Sequence, residues 1–278
     1  MKFFSDAGQF LERVRPFLLR REAEHCLIFG LLGGLRAGEQ WGTAAPLMAT
    51  VEERDEVAAV VLMTPPRNLI LSWIADDSTI DAIARELHAK GVAIPGVNGS
   101  AEVARKFTEK WSELSGCGFR IHMAQRIYQL SRVIEGARAA GRLREPIQAD
   151  EALLRNWRAA FSIDVERMDR DEAEKDAALP LPTSRHLMLW ELDGATVSMA
   201  GYAGPTPNGM RVAWVYTPPE NRGKGFAGAC VAALSQKLLD DGRRYCFLYT
   251  DVDNPTSNHV YQTIGYEPVT DATVYSFS

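Results

Sequence analysis

Val212-Ala-Trp-Val-Tyr-Thr-Pro-Pro-Glu-Asn-Arg-Gly-Lys-Gly-Phe-Ala-Gly228 is the stretch that decides how this chain is read. It opens as a strand: Val212, Trp214 and Tyr216 alternate with Ala213, Val215 and Thr217, and β-branched and aromatic types dominate. The alternation predicts that the two sets face opposite sides of a sheet. Pro218 and Pro219 stop further ladder pairing. From Arg222 a glycine-rich turn leads into a helix reaching about Asp240. Its apolar residues Ala227, Cys230, Val231, Leu234 and Leu238 are spaced three and four apart, and Gly242 stops it.

Strand, glycine turn and helix make a geometry suited to anions. The first N–H groups of a helix lack intrahelical partners, and the helix dipole adds partial positive charge there. Gly223, Gly225 and Gly228 leave the backbone approachable, and Arg222 and Lys224 add full charges. The expected guest is a phosphate or pyrophosphate. The stretch is not a Walker loop, because no Gly-Lys-Ser/Thr follows four spacer residues. Gly223, Gly225 and Gly228 fit the Gly-x-Gly-x-x-Gly spacing of dinucleotide sites. No acidic residue ends a second strand about twenty residues on in a hydrophobic setting, however, and Asp240 and Asp241 fall at the helix end.

Arg222-x-x-Gly225-x-Ala227 resembles the Arg/Gln-x-x-Gly-x-Gly/Ala signature of the Gcn5-related N-acetyltransferases (GNAT). Asp251-Val-Asp-Asn-Pro-Thr-Ser-Asn-His-Val-Tyr-Gln-Thr-Ile-Gly-Tyr266 resembles that family's second block, an Asn followed by Tyr and then Gly-Tyr/Phe. The resemblance covers residues 142 to 278. It implies an acetyl-CoA-dependent acyltransferase, with acetyl-CoA as co-substrate and no metal. The pyrophosphate would sit on the turn of Arg222, Gly223, Lys224, Gly225, Phe226, Ala227 and Gly228. The pantetheine would lie along Val215, Tyr216 and Thr217, where the neighbouring strand Tyr245–Thr250 splays away and leaves backbone groups unpaired. Tyr261 is the implied donor to the departing thiolate, with a core aromatic as its plainer reading. Asn254 suits a cofactor amide and equally an Asx-Pro turn. Ser257 falls at the opening of the next helix, as a cofactor contact or a cap. Glu220 and Glu191 are the candidate bases, with Glu220 also placed to interact with its own turn. His259, about 100° round the helix from Tyr261, is expected at the surface.

The 278 residues suggest two domains. With 46% hydrophobic and 24% charged residues, a packed globular protein is expected. The net charge of −5 and the lack of a basic stripe argue against nucleic acid. Cys26, Cys117, Cys230 and Cys246 show no metal-ligand spacing and read as reduced cytosolic thiols. The N-terminus lacks a signal peptide's apolar core, and the run Cys26 to Leu35 is too short to span a bilayer. A cytoplasmic protein without membrane partners is the expectation, with homo-oligomer formation left open.

In the first half, Ser5 or Asp6 caps a helix holding Phe10, Val14, Phe17 and Leu18, with Pro16 as a kink or break. A second helical piece runs from Arg20 through Leu31, with His25 on its face rather than as a base. Leu47–Val51, Val57–Met63 and Leu69–Ile74 read as an antiparallel meander. Asp77 or Ser78 caps a helix through Leu87. Val92-Ala-Ile-Pro-Gly reads as a short strand and Asn98-Gly-Ser as loop. Ser100 caps a helix to Leu114, and Phe119–Leu130 is a long strand. Residues 138–144 are an Arg-rich linker punctuated by Gly136, Gly141 and Pro146.

In the second half, Asp150 caps a helix with Leu153, Leu154, Trp157 and Phe161. The charged run from Glu166 is a solvated helix face ended by Pro180 and Pro182, and Asp193-Gly194 turns a hairpin. Each half thus reads helix, helix, three strands, helix, strand, helix, strand. Where the second half has its phosphate turn, the first has Asp76, Asp77 and Asp81 and no glycine, which would repel an anion. The fold expected is α+β, two tandem GNAT-like domains, each a mostly antiparallel twisted sheet flanked by helices. Residues 1–137 form a degenerate half without cofactor and residues 142–278 the catalytic half. The function expected is N-acetylation of a small-molecule or peptide amine. A non-catalytic CoA-binding sensor and, more remotely, a nucleotide-binding protein are the alternatives.

Overall fold

The computed structural model describes residues 1–40, 44–134, 139–180 and 185–278. Pro182, Gly136, Arg138 and the core of the expected domain boundary lie outside the described residues. The first half runs β1 (Lys2–Phe4), α1 (Ala7–Leu19), α2 (Cys26–Arg36), β2 (Leu47–Glu53), β3 (Glu56–Met63), β4 (Leu69–Leu71), α3 (Asp77–Ala89), β5 (Gly96–Ser100), α4 (Ala101–Ser115) and β6 (Phe119–Leu130). The second runs β7 (Arg142–Arg144), α5 (Glu151–Asp164), α6 (Arg170–Ala178), β8 (Arg185–Leu192), β9 (Ala195–Ala203), β10 (Gly209–Tyr216), α7 (Phe226–Asp240), β11 (Tyr245–Asp251), α8 (Pro255–Ile264) and β12 (Glu267–Phe277). The order of elements repeats strand by strand and helix by helix. The opening strand of each copy, β1 and β7, has no counterpart in the sequence reading, because three residues are too few to show a period.

Among the described residues twelve strands form one sheet in the order β1-β2-β3-β4-β5-β12-β6-β11-β10-β9-β8-β7. The halves are not laid side by side, because each gives its last strand to the other. β12 pairs with β5 of the first half, Ala272 opposite Ser100, and β6 pairs with β11 of the second, Cys246 opposite Leu130. β6 and β12 then pair with each other from Glu267–Gln129 to Phe277–Phe119. Burial follows the exchange. Tyr128 and Leu130, first-half residues by sequence, lie in the core under α7 with Cys230, Leu234 and Tyr266, while Tyr275 lies under α3 and α4 with Ile83 and Phe107. On the opposite face α1 and α2 cover β2 and β3, and α5 covers β8 to β10. Ala23 and Cys26, at the start of α2, reach across onto Phe247 of β11.

Several local expectations are corrected. The strand expected at Val92 lies instead at Gly96–Ser100, because pairing with β12 overrides the weak strand propensity of Asn98-Gly-Ser. The strand expected to reach Ile74 stops at Leu71, where Ser72 turns back on Val60: its N–H donates to the Val60 carbonyl (3.0 Å) and its Oγ accepts from the Val60 N–H (2.9 Å). Pro16 sits inside α1 without breaking it, and Asp6 is its cap. The second helix begins at Cys26 rather than Arg20. Asp76, not Asp77 or Ser78, caps α3. Asp150 makes no cap to α5. Its carboxylate instead accepts from Arg144 (2.6 Å) and from the Ile147 N–H (2.8 Å). Among the described residues no helix is long and apolar enough to cross a membrane, and no cluster of His, Cys, Asp and Glu is placed to hold a metal ion.

Candidate active site

The site begins as a fork. β10 and β11 are parallel and pair through Gly209–Tyr245, Met210–Cys246 and Arg211–Phe247, and no further. β11 keeps its pairing with β6 as far as Asp251, and β10 keeps its pairing with β9 as far as Tyr216, so the gap lies between β10 and β11 alone. Beyond Arg211 and Phe247 the two strands no longer pair with each other. The register of β10 against β9 shifts between Ala213 and Tyr216, where Trp214 takes φ +52°. This bulge corrects the simple alternation expected for the strand. Val212 and Val215 pack on the α7 side, whereas Trp214 and Tyr216 join Trp157 and Phe161 on the α5 side. The Tyr216 carbonyl accepts from Ser198 Oγ (3.1 Å), and Ser198 Oγ also lies 2.8 Å from Thr217 Oγ1, which fixes the strand's exit.

The turn at the fork carries the charges. Arg222 Nε donates to the Thr217 carbonyl (3.0 Å) and Nη2 to Asp164 Oδ2 at the end of α5 (2.8 Å). Lys224 Nζ donates to Asn221 Oδ1 (3.3 Å). Arg222, Gly223, Lys224 and Gly225 are all exposed. Gly223 and Gly225 take φ +76° and +80°, conformations that glycine adopts freely. Gly225 is the N-cap of α7, and it supplies no side-chain hydrogen bond to the helix's first N–H groups. Those donors and the positive end of α7 therefore face outward beside two cations, a fit for a pyrophosphate. Phe226 is buried in the core and Ala227 half-buried, so each leaves chiefly its backbone to face a guest at this turn. Gly228 has a different role from the open approach expected of it. It is buried in α7, and a Cβ there would lie 3.2 Å from Val260 Cγ1, so it lets α7 and α8 close on each other.

α8 starts at Pro255, two residues before the expected opening. Asn254 is its cap, with Oδ1 accepting from the Ser257 N–H (3.0 Å), so the turn role competes directly with the cofactor role for that oxygen. Ser257 is the residue capped, not the cap. Asn258 Nδ2 donates to the carbonyls of Asp251 (2.9 Å) and Asn254 (2.8 Å), and its Oδ1 accepts from the Tyr128 hydroxyl (2.9 Å). A strand of the first half thus sets the position of α8, a contact with no local signature in the sequence. Tyr261 points into the core shared with Val212, Leu248 and Phe226, edge-on to Tyr266 at 6.0 Å. Burial pushes its phenol up to about 12. His259 is exposed, as expected. Glu220 lies exposed on the single turn Pro219–Asn221. Glu191 is unsuited to act as a base: it accepts from Arg142 (2.7 Å) and Arg144 (2.7 Å), and these bonds hold its carboxyl below the usual range.

The first half repeats the fork with different neighbours. β4 and β5 pair only through Leu69–Val97 and Ile70–Asn98. Where the open backbone would begin, the Trp73 N–H donates to His25 Nε2 (3.0 Å), and His25 Nδ1 lies 2.9 Å from the Leu18 carbonyl. The helix beyond, α3, has one of its first donors taken by the Asp76 side chain, whose Oδ1 accepts from the Ser78 N–H (2.9 Å). That bond holds the Asp76 carboxyl below its ordinary value. Asp77 and Asp81 pair with Lys106 and Lys110.

Residues 151–266 match the model of the acetyltransferase (GNAT) family. Solved structures with a similar fold span nearly the whole chain. A Drosophila protein superposes with TM-score 0.66 at 10% identity, over 99% of this chain and 97% of its own. A GCN5-related N-acetyltransferase from Kribbella flavida gives 0.57 at 17% identity, over 90% and 94%. A tandem GNAT protein from the clavulanic acid biosynthesis pathway gives 0.55 at 14% identity, over 100% and 98%. No curated protein matches the sequence.

Proposed function

The chain belongs to the acetyltransferase (GNAT) family through residues 151–266, and from that premise we propose that its second half is an acetyl-CoA-dependent N-acetyltransferase acting on a primary amine. One observation carries the reading: the uncapped start of α7, with Arg222 and Lys224 beside it, stands at the strand whose open edge forms the β10–β11 fork. The turn receives the pyrophosphate, and the open edges of β10 and β11 receive an extended chain bearing amides. Acetyl-CoA supplies the activated acetyl thioester. The acceptor ammonium first loses a proton to water. The amine nitrogen then forms the C–N bond as the C–S bond breaks, and of the two protons lost from nitrogen one ends on the thiol and one in solution.

N–H groups of the two strands beyond their last paired residues polarise the thioester carbonyl. Tyr261 donates a hydrogen bond to the departing sulfur. With its phenol near 12, complete proton transfer to a thiolate of ordinary basicity (conjugate acid ~8.5) is uphill by roughly 5 kcal/mol. The phenol therefore stabilises developing charge, and water completes the protonation. In the same reading the chain holds one cofactor site, because Asp76 and His25 occupy the equivalent donors of the first half.

The test is release of free thiol from acetyl-CoA with a panel of primary amines. Amine-dependent release supports the reading. CoA binding without release under any amine leaves a non-catalytic CoA-binding protein.

A further inference from the structure

The acceptor must meet the thioester at the open end of the fork, and it must come from the side that α7 does not occupy. Side chains alternate along β11. Cys246 and Leu248 pack under α7, while Phe247 and its partly buried neighbour Tyr249 lie on the opposite face with Ala23 and Cys26. Asp251, two residues after Tyr249 and last in the strand, continues that opposite face at the fork's open end. Its side chain is only 17% exposed, and its carboxylate is held in place, with Oδ1 accepting from the Asp253 N–H (2.9 Å) and Oδ2 from Arg167 Nη2 (2.8 Å).

The two partners differ in kind. Asp251 belongs to the sheet. Arg167 belongs to the connection between α5 and α6, takes φ +56°, is 51% exposed, and steadies itself with an Nη1 bond to the His122 carbonyl (3.1 Å). A pair with one partner so exposed contributes little net stability, so exchanging that cation for another costs little. Three other carboxylates have partners of their own: Asp164 pairs with Arg222, Asp271 with Arg126, and Glu166 accepts from Ser162 Oγ, while Asp253 is exposed and gives only its N–H to Asp251.

We propose that Asp251 receives the ammonium group of the acceptor, and that Arg167 holds its place while no acceptor is bound. The inference rests on the acyl-transfer reading and narrows it to amines that arrive as cations. Asp251 is in this sense a positioning residue for the nucleophile, and the strained Arg167 backbone favours withdrawal of its loop.

The experiment measures thiol release by the full chain with acetyl-CoA and n-butylamine, phenethylamine, spermidine or lysine methyl ester. CoA affinity, measured by calorimetry, serves as the folding control. Asp251→Asn removes a charged hydrogen bond and raises the acceptor KM about ten- to a hundredfold, with the acetyl-CoA KM within about twofold of the parent. Arg167→Gln removes the competitor and lowers the acceptor KM. Opposite directions for the two variants support the proposal, since a merely structural ion pair makes both lose function alike. An unchanged acceptor KM in Asp251→Asn, or a raised one in Arg167→Gln, overturns it while leaving acyl transfer intact. If Asp251→Asn does not fold, the Arg167→Gln result decides alone. No thiol release by the parent with any of the four amines overturns the acyl-transfer reading itself and this inference with it.

Discussion

Replacing Tyr128 tests whether the two halves are one folding unit. Tyr128 belongs to the first half by sequence, yet it is fully buried in the core of the second with Leu248, Tyr261 and Tyr266. Its hydroxyl donates to Asn258 Oδ1 (2.9 Å) and accepts from Gln262 Nε2 (3.3 Å), both on α8. Tyr128→Ala removes the ring from a close-packed site, a loss of about 3–5 kcal/mol. Tyr128→Phe keeps the ring and leaves Asn258 Oδ1 without its donor, at about 1–3 kcal/mol. The two losses share neighbours and do not simply add. Urea unfolding followed by both tryptophan fluorescence and far-ultraviolet circular dichroism reads the outcome. Trp111 reports from the first core, and Trp157 and Trp190 from the second. At a slope of about 3 kcal/mol/M, suited to a chain of this size, the midpoint falls by about 1–2 M for Tyr128→Ala and about 0.3–1 M for Tyr128→Phe. Both probes should move together in one transition. Two resolved transitions, with only that of the first half displaced, would refute the strand exchange.

Tyr261→Phe should lower acetyl transfer by about 10²-fold, the low end for a positioned donor, because water replaces part of the hydroxyl's role. CoA affinity should stay within a few-fold, and turnover within about twofold of the parent, with transfer rate-limiting, would reduce Tyr261 to packing. His25 should make the protein acid-sensitive. Burial lowers its folded pKa, so between that value and the ordinary ~6.5 the unfolded chain binds more protons. Stability is therefore level above about pH 6.5 and falls as pH drops toward the lowered folded value, a slope that His25→Gln should remove from the urea midpoints. An identical slope in the variant would assign the effect to other groups.

The repeat of elements, the hairpin at Asp193-Gly194 and the strand–turn–helix at Val212–Gly228 were legible because each rests on local rules: alternation, turn residues, helical spacing. What was not legible is long-range. Nothing in Phe119–Leu130 says that it crosses to the other half, since its alternation fits either neighbour equally well. The bulge at Trp214 is likewise invisible, because the residues there have ordinary strand propensities and the register shift is set by β9. The local pattern puts His25 on a helix face, whereas its ring accepts from the Trp73 N–H of a fork formed 48 residues on. The role of Gly228 has no local signature for the same reason: its neighbour Val260 comes from another helix.

Calorimetric titration of the full chain with CoA tests the central claim most directly, run beside Gly225→Val. Gly225 takes φ +80°, and among the described residues an added Cβ meets only Ala139 Cβ at 3.7 Å. A β-branched residue there costs about 1–2 kcal/mol, within what a folded domain tolerates, and pulls the turn away from the conformation that aims the first N–H groups of α7 outward. The parent should bind one CoA per chain, and the folded Gly225→Val protein none. Two CoA molecules per chain, or undiminished binding by Gly225→Val, would contradict a single cofactor site at the start of α7.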